Sequence, residues 1–212
     1  MKIEIWSDFV CPFCYIGNKH LENALEKFEH ADEVEIEFKS YELDPTAKHV
    51  PGKTMAETLA ESKGLPMAQV EQMNQQITQM AESAGLTFNN ATAQYANTFD
   101  AHRLFQYAKS IGKGYDYDER LKKAYFTDSL LISDFDTLVE LAGEIGIDKE
   151  EARAILESDR YAEEVRADVQ EARQIGVQGV PFFVFDRKYA VSGAQPEEVF
   201  TQTLETTWAE KQ

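Results

Sequence analysis

The stretch Ser7-Asp8-Phe9-Val10-Cys11-Pro12-Phe13-Cys14 contains the only two cysteines of this 212-residue chain. It follows Ile3-Glu4-Ile5-Trp6, which alternates as a half-buried strand does. The residues after it place apolar side chains at helical spacing: Tyr15, Ile16, Leu21, Leu25 and Phe28. The pattern predicts a strand-to-helix turn, with Cys11 at the helix N-terminus and Cys14 one turn further along. Both sulfurs would then share one helix face, close enough for a disulfide.

The predicted position of Cys11 favours the ionised sulfur, because unpaired N–H groups and the positive end of the helix dipole stabilise a thiolate. We therefore expect Cys11 to be the nucleophile and Cys14 the resolving thiol. The structural alternatives are a buried pair of apolar cysteines or half of a zinc site, and a zinc site would need two further ligands. The four histidines form no cluster that would supply them: His20, His30, His49 and His102. We expect no metal, and no cofactor beyond the redox-active cysteine pair itself.

Composition limits the kinds of partner. The net charge of −17 argues against nucleic acid, since no basic stripe is present. No apolar stretch reaches the length of a membrane span. The first predicted strand begins at residue 2 or 3, so we also expect no signal peptide and a cytoplasmic location. In that compartment a cysteine pair is more often catalytic than structural.

Strand patterns occur only near the two ends of the chain. Residues 34–39 alternate as a second strand, and 182–185 with 189–191 are typical of a hairpin. Between about 55 and 176 the apolar residues recur at helical spacing alone. The order β-α-β, then helices, then α-β-β-α predicts one four-stranded sheet flanked by helices, with a helical block inserted into it.

The same spacing predicts which side chains face inward. One helix of the block has an apolar stripe, more typical of helix packing than of a cofactor site: Val70, Met73, Ile77 and Met80. The last helix would turn a second set inward: Val199, Leu204 and Trp208. We expect Ser133 or Asp134 to cap one helix, and Ser158 or Asp159 to cap the long helix that reaches Ala172.

Several motifs resemble the DsbA-like disulfide oxidoreductases of the thioredoxin fold, and within them the FrnE-type subfamily. In chain order they span residues 7–17, 41–45, 97–104 and 192–195, and a Gly-Val-Pro-Phe-Phe-Val-Phe run stands before the hairpin. The resemblance covers essentially the whole chain. It implies an α/β fold: a thioredoxin-like four-stranded mixed sheet with a large inserted all-helical domain. Residues 1–47 and 163–212 would form the discontinuous thioredoxin-like domain, and 48–162 the insertion.

The resemblance also implies the surroundings of the cysteines. The Val180–Pro181 peptide bond is expected to be cis, with Pro181 facing Cys11 and Cys14. Val180 would then offer its backbone N–H and C=O to an extended substrate. Phe13 would offer an apolar surface to substrate side chains.

His102 is a candidate for the cleft above Cys11, although a capped or core-edge histidine is the commoner case. Asp100, Arg103 and Tyr107 share this ambiguity. Only the resemblance suggests that the inserted helices cover the active site.

Together these features predict a DsbA-family protein disulfide oxidoreductase that exchanges with a disulfide or dithiol, in a protein or a small molecule. Because no histidine stands between the cysteines, we expect a weaker oxidant than DsbA. The architecture is also similar to kappa-class glutathione transferases and 2-hydroxychromene-2-carboxylate isomerases, which bind glutathione and use a serine where Cys11 stands. In that alternative glutathione would be a cosubstrate, but a cysteine favours redox chemistry and the acidic chain attracts anionic glutathione weakly. A non-catalytic binding module ranks third, and both a monomer and a homodimer stay open.

Overall fold

The computed structural model of the chain describes residues 1–210. Its sheet has four strands: β1 (Lys2–Ser7), β2 (Glu35–Ser40), β3 (Phe182–Phe185) and β4 (Tyr189–Ser192). Their order is β2-β1-β3-β4. β1 and β2 are parallel, whereas β3 is antiparallel to both β1 and β4. The predicted mixed four-stranded sheet is therefore confirmed.

Helices make up most of the remaining described chain. They are α1 (Pro12–Glu26), α2 (Met55–Lys63), α3 (Met67–Ser83), α4 (Phe99–Ser110), α5 (Gly114–Phe126), α6 (Phe135–Glu144), α7 (Lys149–Leu156), α8 (Ala162–Gln174) and α9 (Glu197–Ala209), with a short 3-10 helix at Ala31–Glu33. None of the helices within residues 1–210 combines the length and the apolar character that a membrane span requires.

The chain divides into two compact units. The first comprises Met1–Leu43 and the chain from Arg166 onward, and the second comprises Asp44–Val165. The first unit contains the whole sheet, and the second contains helices α2 to α7, the loops between them and the first turn of α8.

The sheet of the first unit is buried on both faces. On one face Phe183 packs edge-to-face against Phe200 of α9, with ring centroids 4.8 Å apart. On the other face Trp6 packs against Ala172 of α8 and donates its indole N–H to the Asp168 carbonyl at 3.0 Å. Burying an aromatic or aliphatic side chain of this size stabilises a fold by about 1.5–3 kcal/mol. These contacts hold rigid the strand that leads into the cysteine turn.

Two of the predicted inward faces are confirmed only in part. Val70 of α3 is buried in a small core with Ala56 and Ala60, but Met73 and Met80 are 39% and 41% exposed. In α9, Leu204 is buried as predicted, but Val199 is exposed and Phe200 takes its place against the sheet. An apolar stripe predicts a contact face only where a partner element is wide enough to cover it.

The predicted helix caps have mixed outcomes. Asp134 caps α6 as expected, accepting a hydrogen bond from the Thr137 N–H at 2.8 Å. Neither Ser158 nor Asp159 lies directly before α8, which begins at Ala162. The carbonyl of Ser158 instead accepts from a buried arginine of another helix, and Tyr161 adopts a left-handed φ of 63° before the helix starts.

Candidate functional site

The turn between β1 and α1 is built around Asp8, whose side chain is buried. Its Oδ1 accepts from the Phe9 N–H at 2.9 Å and its Oδ2 from the Leu43 N–H at 2.8 Å. Its carbonyl accepts from the Cys11 N–H at 3.2 Å. One carboxylate thus ties the turn to the segment after β2 and sets the entry into α1. This is the predicted strand-to-helix turn.

Cys11 is the N-cap residue of α1, with an extended backbone (φ −89°, ψ 110°). Its sulfur accepts a hydrogen bond from the Cys14 N–H at 3.3 Å, in the place where a serine or aspartate oxygen commonly caps a helix. Cys11 is 3% exposed and Cys14 is fully buried, and both are free thiols. A thiolate at Cys11 would gain from the same N–H group and from the helix dipole.

The loop before β3 faces this sulfur. The Val180–Pro181 peptide bond is cis, which confirms the prediction from the resemblance. Cys11 donates its S–H to the Val180 carbonyl at 3.5 Å. The Pro181 carbonyl accepts from the Gly193 N–H at 2.8 Å, which joins the loop to the end of β4. The structure therefore brings Cys11, Cys14, Val180 and Pro181 together.

Phe13, between the cysteines, has a side chain that is 39% exposed. A large apolar ring at this level of exposure beside a reactive sulfur is available to a substrate, and the role expected for Phe13 stays a prediction.

His102 lies on α4 in the second unit and is only 1% exposed. Its ring packs edge-to-face on Phe105, with centroids 6.5 Å apart. The structure places this histidine in the helical core, which is the commoner of the two cases considered from the sequence.

Arg103, the next residue of α4, also lies in the core of the second unit. Its buried guanidinium donates to the carbonyls of Ile155 at 2.8 Å and Leu156 at 3.0 Å, and to the Asp100 carboxylate at 2.7 Å. These carbonyls belong to the C-terminal end of α7, where four groups per helix lack intrahelical partners. Arg103 and Asp100 thus hold helices together within the second unit.

Sequence reasoning missed the part that Gly17 plays. A glycine inside a helix costs about 1 kcal/mol relative to alanine, so its presence in α1 is itself a signal of close approach. The structure shows that approach, since Pro181 lies beside Gly17. No group of three or more histidine, cysteine, aspartate or glutamate side chains that could hold a metal ion was found in the described part of the chain.

Comparisons with known proteins agree with this geometry. The model of the DSBA-like thioredoxin domain matches residues 2–205. The crystal structure of a probable DsbA oxidoreductase from Streptomyces coelicolor is 42% identical, with a TM-score of 0.94 over 99% of this chain and 91% of that one. The uncharacterized protein YwbO of Bacillus subtilis is 29% identical over 206 residues, which is 96% of each protein.

Two more distant structures have the same fold. The cytosolic disulfide reductase DsbM from Pseudomonas aeruginosa, determined with GSH, has a TM-score of 0.70 at 15% identity, over 99% of this chain and all of that one. A 2-hydroxychromene-2-carboxylate isomerase has a TM-score of 0.69 at 16% identity, over 99% and 95%. At these identities the likeness shows the fold alone. From the match over residues 2–205 and the close structural relative, the chain belongs to the DSBA-like thioredoxin domain family.

Proposed function

We propose that this protein is a thiol-disulfide oxidoreductase that uses Cys11 and Cys14 as its redox pair. The observation that carries the proposal is the setting of the Cys11 sulfur. It caps α1 through the Cys14 N–H at 3.3 Å and faces the Val180 carbonyl at 3.5 Å. A sulfur that only filled a core would need neither a helix N-terminus nor a second thiol one turn away.

The reaction follows from the two thiols. The Cys11 thiolate attacks one sulfur of a substrate disulfide, a Cys11–substrate disulfide forms, and the other substrate sulfur leaves as a thiolate that takes up a proton. Cys14 then loses its proton and attacks the Cys11 sulfur. The Cys11–Cys14 disulfide forms, and the second substrate sulfur leaves and is protonated. The substrate gains two electrons and the protein loses two; the reverse sequence oxidises a dithiol.

We assign substrate contacts to Phe13 and Val180. The backbone of Val180 would pair with an extended substrate as one strand pairs with another, and Phe13 would contact its apolar side chains. Pro181 would hold that backbone in place. A contact by His102 would require its buried ring to become exposed, so we place the substrate on the other two residues.

A glutathione-dependent transferase or isomerase is the second candidate, favoured by the fold shared with the isomerase. Glutathione carries carboxylates that need cationic partners. Within the first unit, Lys19 pairs with Glu22 at 2.9 Å and Lys39 with Glu171 at 3.1 Å. These lysines already pair with carboxylates of the protein. This favours a substrate that is recognised through its backbone and apolar groups over one recognised through its carboxylates.

The finer points of the assignment are proposals of the same kind. We propose that the substrate is a disulfide or dithiol in a protein or small molecule, and that the protein works in the cytoplasm, as DsbM is described to do. We also propose that it is a weaker oxidant than DsbA, since the turn supplies a helix N-terminus but no histidine between the cysteines.

The test is the reduction potential of the cysteine pair, measured by equilibrating the protein in glutathione buffers and trapping free thiols. We expect one two-electron transition between about −270 mV, the value of thioredoxin, and about −120 mV, the value of DsbA. A potential at the DsbA end would contradict the weaker-oxidant assignment alone. A stable adduct of Cys11 with glutathione and no internal disulfide would overturn the oxidoreductase and favour the second candidate.

A further inference from the structure

Gly17 sits in α1 where three segments of the first unit meet. A Cβ atom built on it would lie 3.1 Å from Cγ of Pro181, 3.3 Å from Cα of Ala194 and 3.3 Å from Cζ of Phe183. All three distances are shorter than ordinary van der Waals contacts between carbon atoms, which are about 3.5–4.0 Å. The backbone of α1 therefore approaches the Pro181 loop as closely as only glycine allows.

The neighbours of Gly17 have little freedom to retreat. Phe183 is fully buried and packs on Phe200. The Pro181 carbonyl accepts from the Gly193 N–H at 2.8 Å, which links it to the turn that contains Ala194. A close-packed interior transmits a displacement instead of absorbing it. A methyl group at position 17 would therefore move the Pro181 loop away from α1.

That displacement would reach the reactive sulfur. Val180 directly precedes Pro181, and its carbonyl lies 3.5 Å from the Cys11 sulfur. Cys11 caps the same helix, six residues before Gly17. The contact at Gly17 is thus the point at which the helix carrying the nucleophile and the loop carrying the substrate-pairing backbone are held against each other.

We infer that Gly17 is a positioning residue: its missing side chain sets the gap between α1 and the Pro181 loop, and so the alignment of the Val180 backbone with Cys11 for an extended peptide disulfide. The inference rests on the proposed oxidoreductase function. It predicts selectivity, because a peptide substrate needs both attack at sulfur and pairing with Val180. A small aromatic disulfide needs only the attack.

The experiment compares Gly17→Ala and Gly17→Val with the wild type and with Gly179→Ala. Gly179 lies in the same loop, yet a Cβ there would meet no heavy atom within 4 Å, and its φ is outside the left-handed region. Each protein is first reduced with dithiothreitol and freed of it, then mixed with an excess of a peptide disulfide or of dithionitrobenzoate, and the second-order rate constant for oxidation of the protein by each substrate is measured. Melting temperatures are measured in parallel.

We expect the rate constant for the peptide disulfide to fall roughly tenfold to a hundredfold in the Gly17 variants, since small misplacements of reacting groups have effects of this size. The rate with dithionitrobenzoate should stay near that of the wild type, and Gly179→Ala should match the wild type with both substrates. The larger valine should have the larger effect. If Gly17→Val does not fold, the comparison of the two substrates rests on Gly17→Ala.

Two results would overturn the inference. Peptide and dithionitrobenzoate rates that fall by the same factor would mean a loss of folded protein or of general reactivity. Gly17 variants that reduce the peptide as fast as the wild type would mean that the gap is unimportant. A wild-type protein that turns over neither substrate would instead refute the proposed function, which keeps the two failures distinct.

Discussion

The sulfur of Cys11 lies 3.5 Å from the carbonyl oxygen of Val180, across a separation of 169 residues in the sequence. The pairing of the strands explains why these two atoms lie close together. β3 is antiparallel to β1, and Phe182 at its start pairs with Trp6 near the end of β1. The turn after β1 and the loop before β3 therefore lie at the same end of the sheet, which places the Cys11 thiol beside the backbone of Val180.

Replacing Cys14 with serine should trap the reaction half-way. Cys11 would still attack a peptide disulfide, but the resolving sulfur would be missing, so a Cys11 mixed disulfide should accumulate. Mass spectrometry without reductant measures it as one added peptide thiol per chain. The matched control is Cys11→Ser, which should form no adduct because Cys14 is fully buried behind it. Equal adduct in both variants would reverse the assigned roles.

Asp8→Asn should weaken the fold at the cysteine turn. The aspartate accepts two backbone N–H groups, whereas an asparagine side chain offers one oxygen and presents N–H groups to the other donor. Leaving a buried donor unsatisfied costs about 1–3 kcal/mol, which urea unfolding would measure. Asp32→Asn, at an exposed position in the same unit, is the control and should leave the free energy of unfolding unchanged. An Asp8→Asn variant with the same free energy of unfolding as the wild type would show that the turn does not depend on these hydrogen bonds.

Arg103→Lys should destabilise the second unit without changing the redox equilibrium of the cysteines. A lysine ammonium cannot reproduce the fork that binds the carbonyls of Ile155 and Leu156 together with Asp100. The expected loss in the free energy of unfolding is about 2–4 kcal/mol, since several buried acceptors lose charged donors.

The control for this change is Arg160→Lys, which alters an exposed pair with Glu151 at 2.7 Å and should cost less than about 1 kcal/mol. A redox equilibrium that shifts in Arg103→Lys but not in the control would point to a catalytic part for Arg103.

Glu171 should make stability depend on pH in the acid range. Burial works to raise the pKa of this carboxyl, but hydrogen bonds from Arg187 and Lys39 outweigh it and hold the pKa below 4.5. Because the folded state has the lower pKa, the stabilisation is present above about pH 4.5 and is lost as the pH falls through the folded value. Glu171→Gln should therefore flatten the acid limb of a plot of unfolding free energy against pH.

Glu29→Gln, which removes an exposed carboxylate from the same unit, serves as the reference for the loss of one charge. An acid limb that is equally steep in the wild type and in Glu171→Gln would exclude this ion-pair cluster as its source.

Much of the candidate site can be predicted from the local sequence. The strand before Asp8, the helical spacing after Cys14 and the proline between the cysteines predict the N-cap position of Cys11, because caps and periodicity are short-range properties of the backbone. The cis bond at Pro181 was predicted only through the resemblance, since composition alone favours a trans bond. The FrnE-type assignment stays a prediction.

Tertiary packing decided the rest. Met73 and Met80 have the spacing of a buried face but are exposed, since burial depends on whether a partner helix covers them. The sequence leaves His102 and Arg103 open between the cleft above Cys11 and the helical core, and the structure buries both within the second unit. The sequence by itself determined which residues are proposed to carry the chemistry, because that proposal depends on residue type and local backbone. Only the tertiary structure decided what faces the Cys11 sulfur and how closely α1 approaches the Pro181 loop, because both distances join segments that are far apart in the chain.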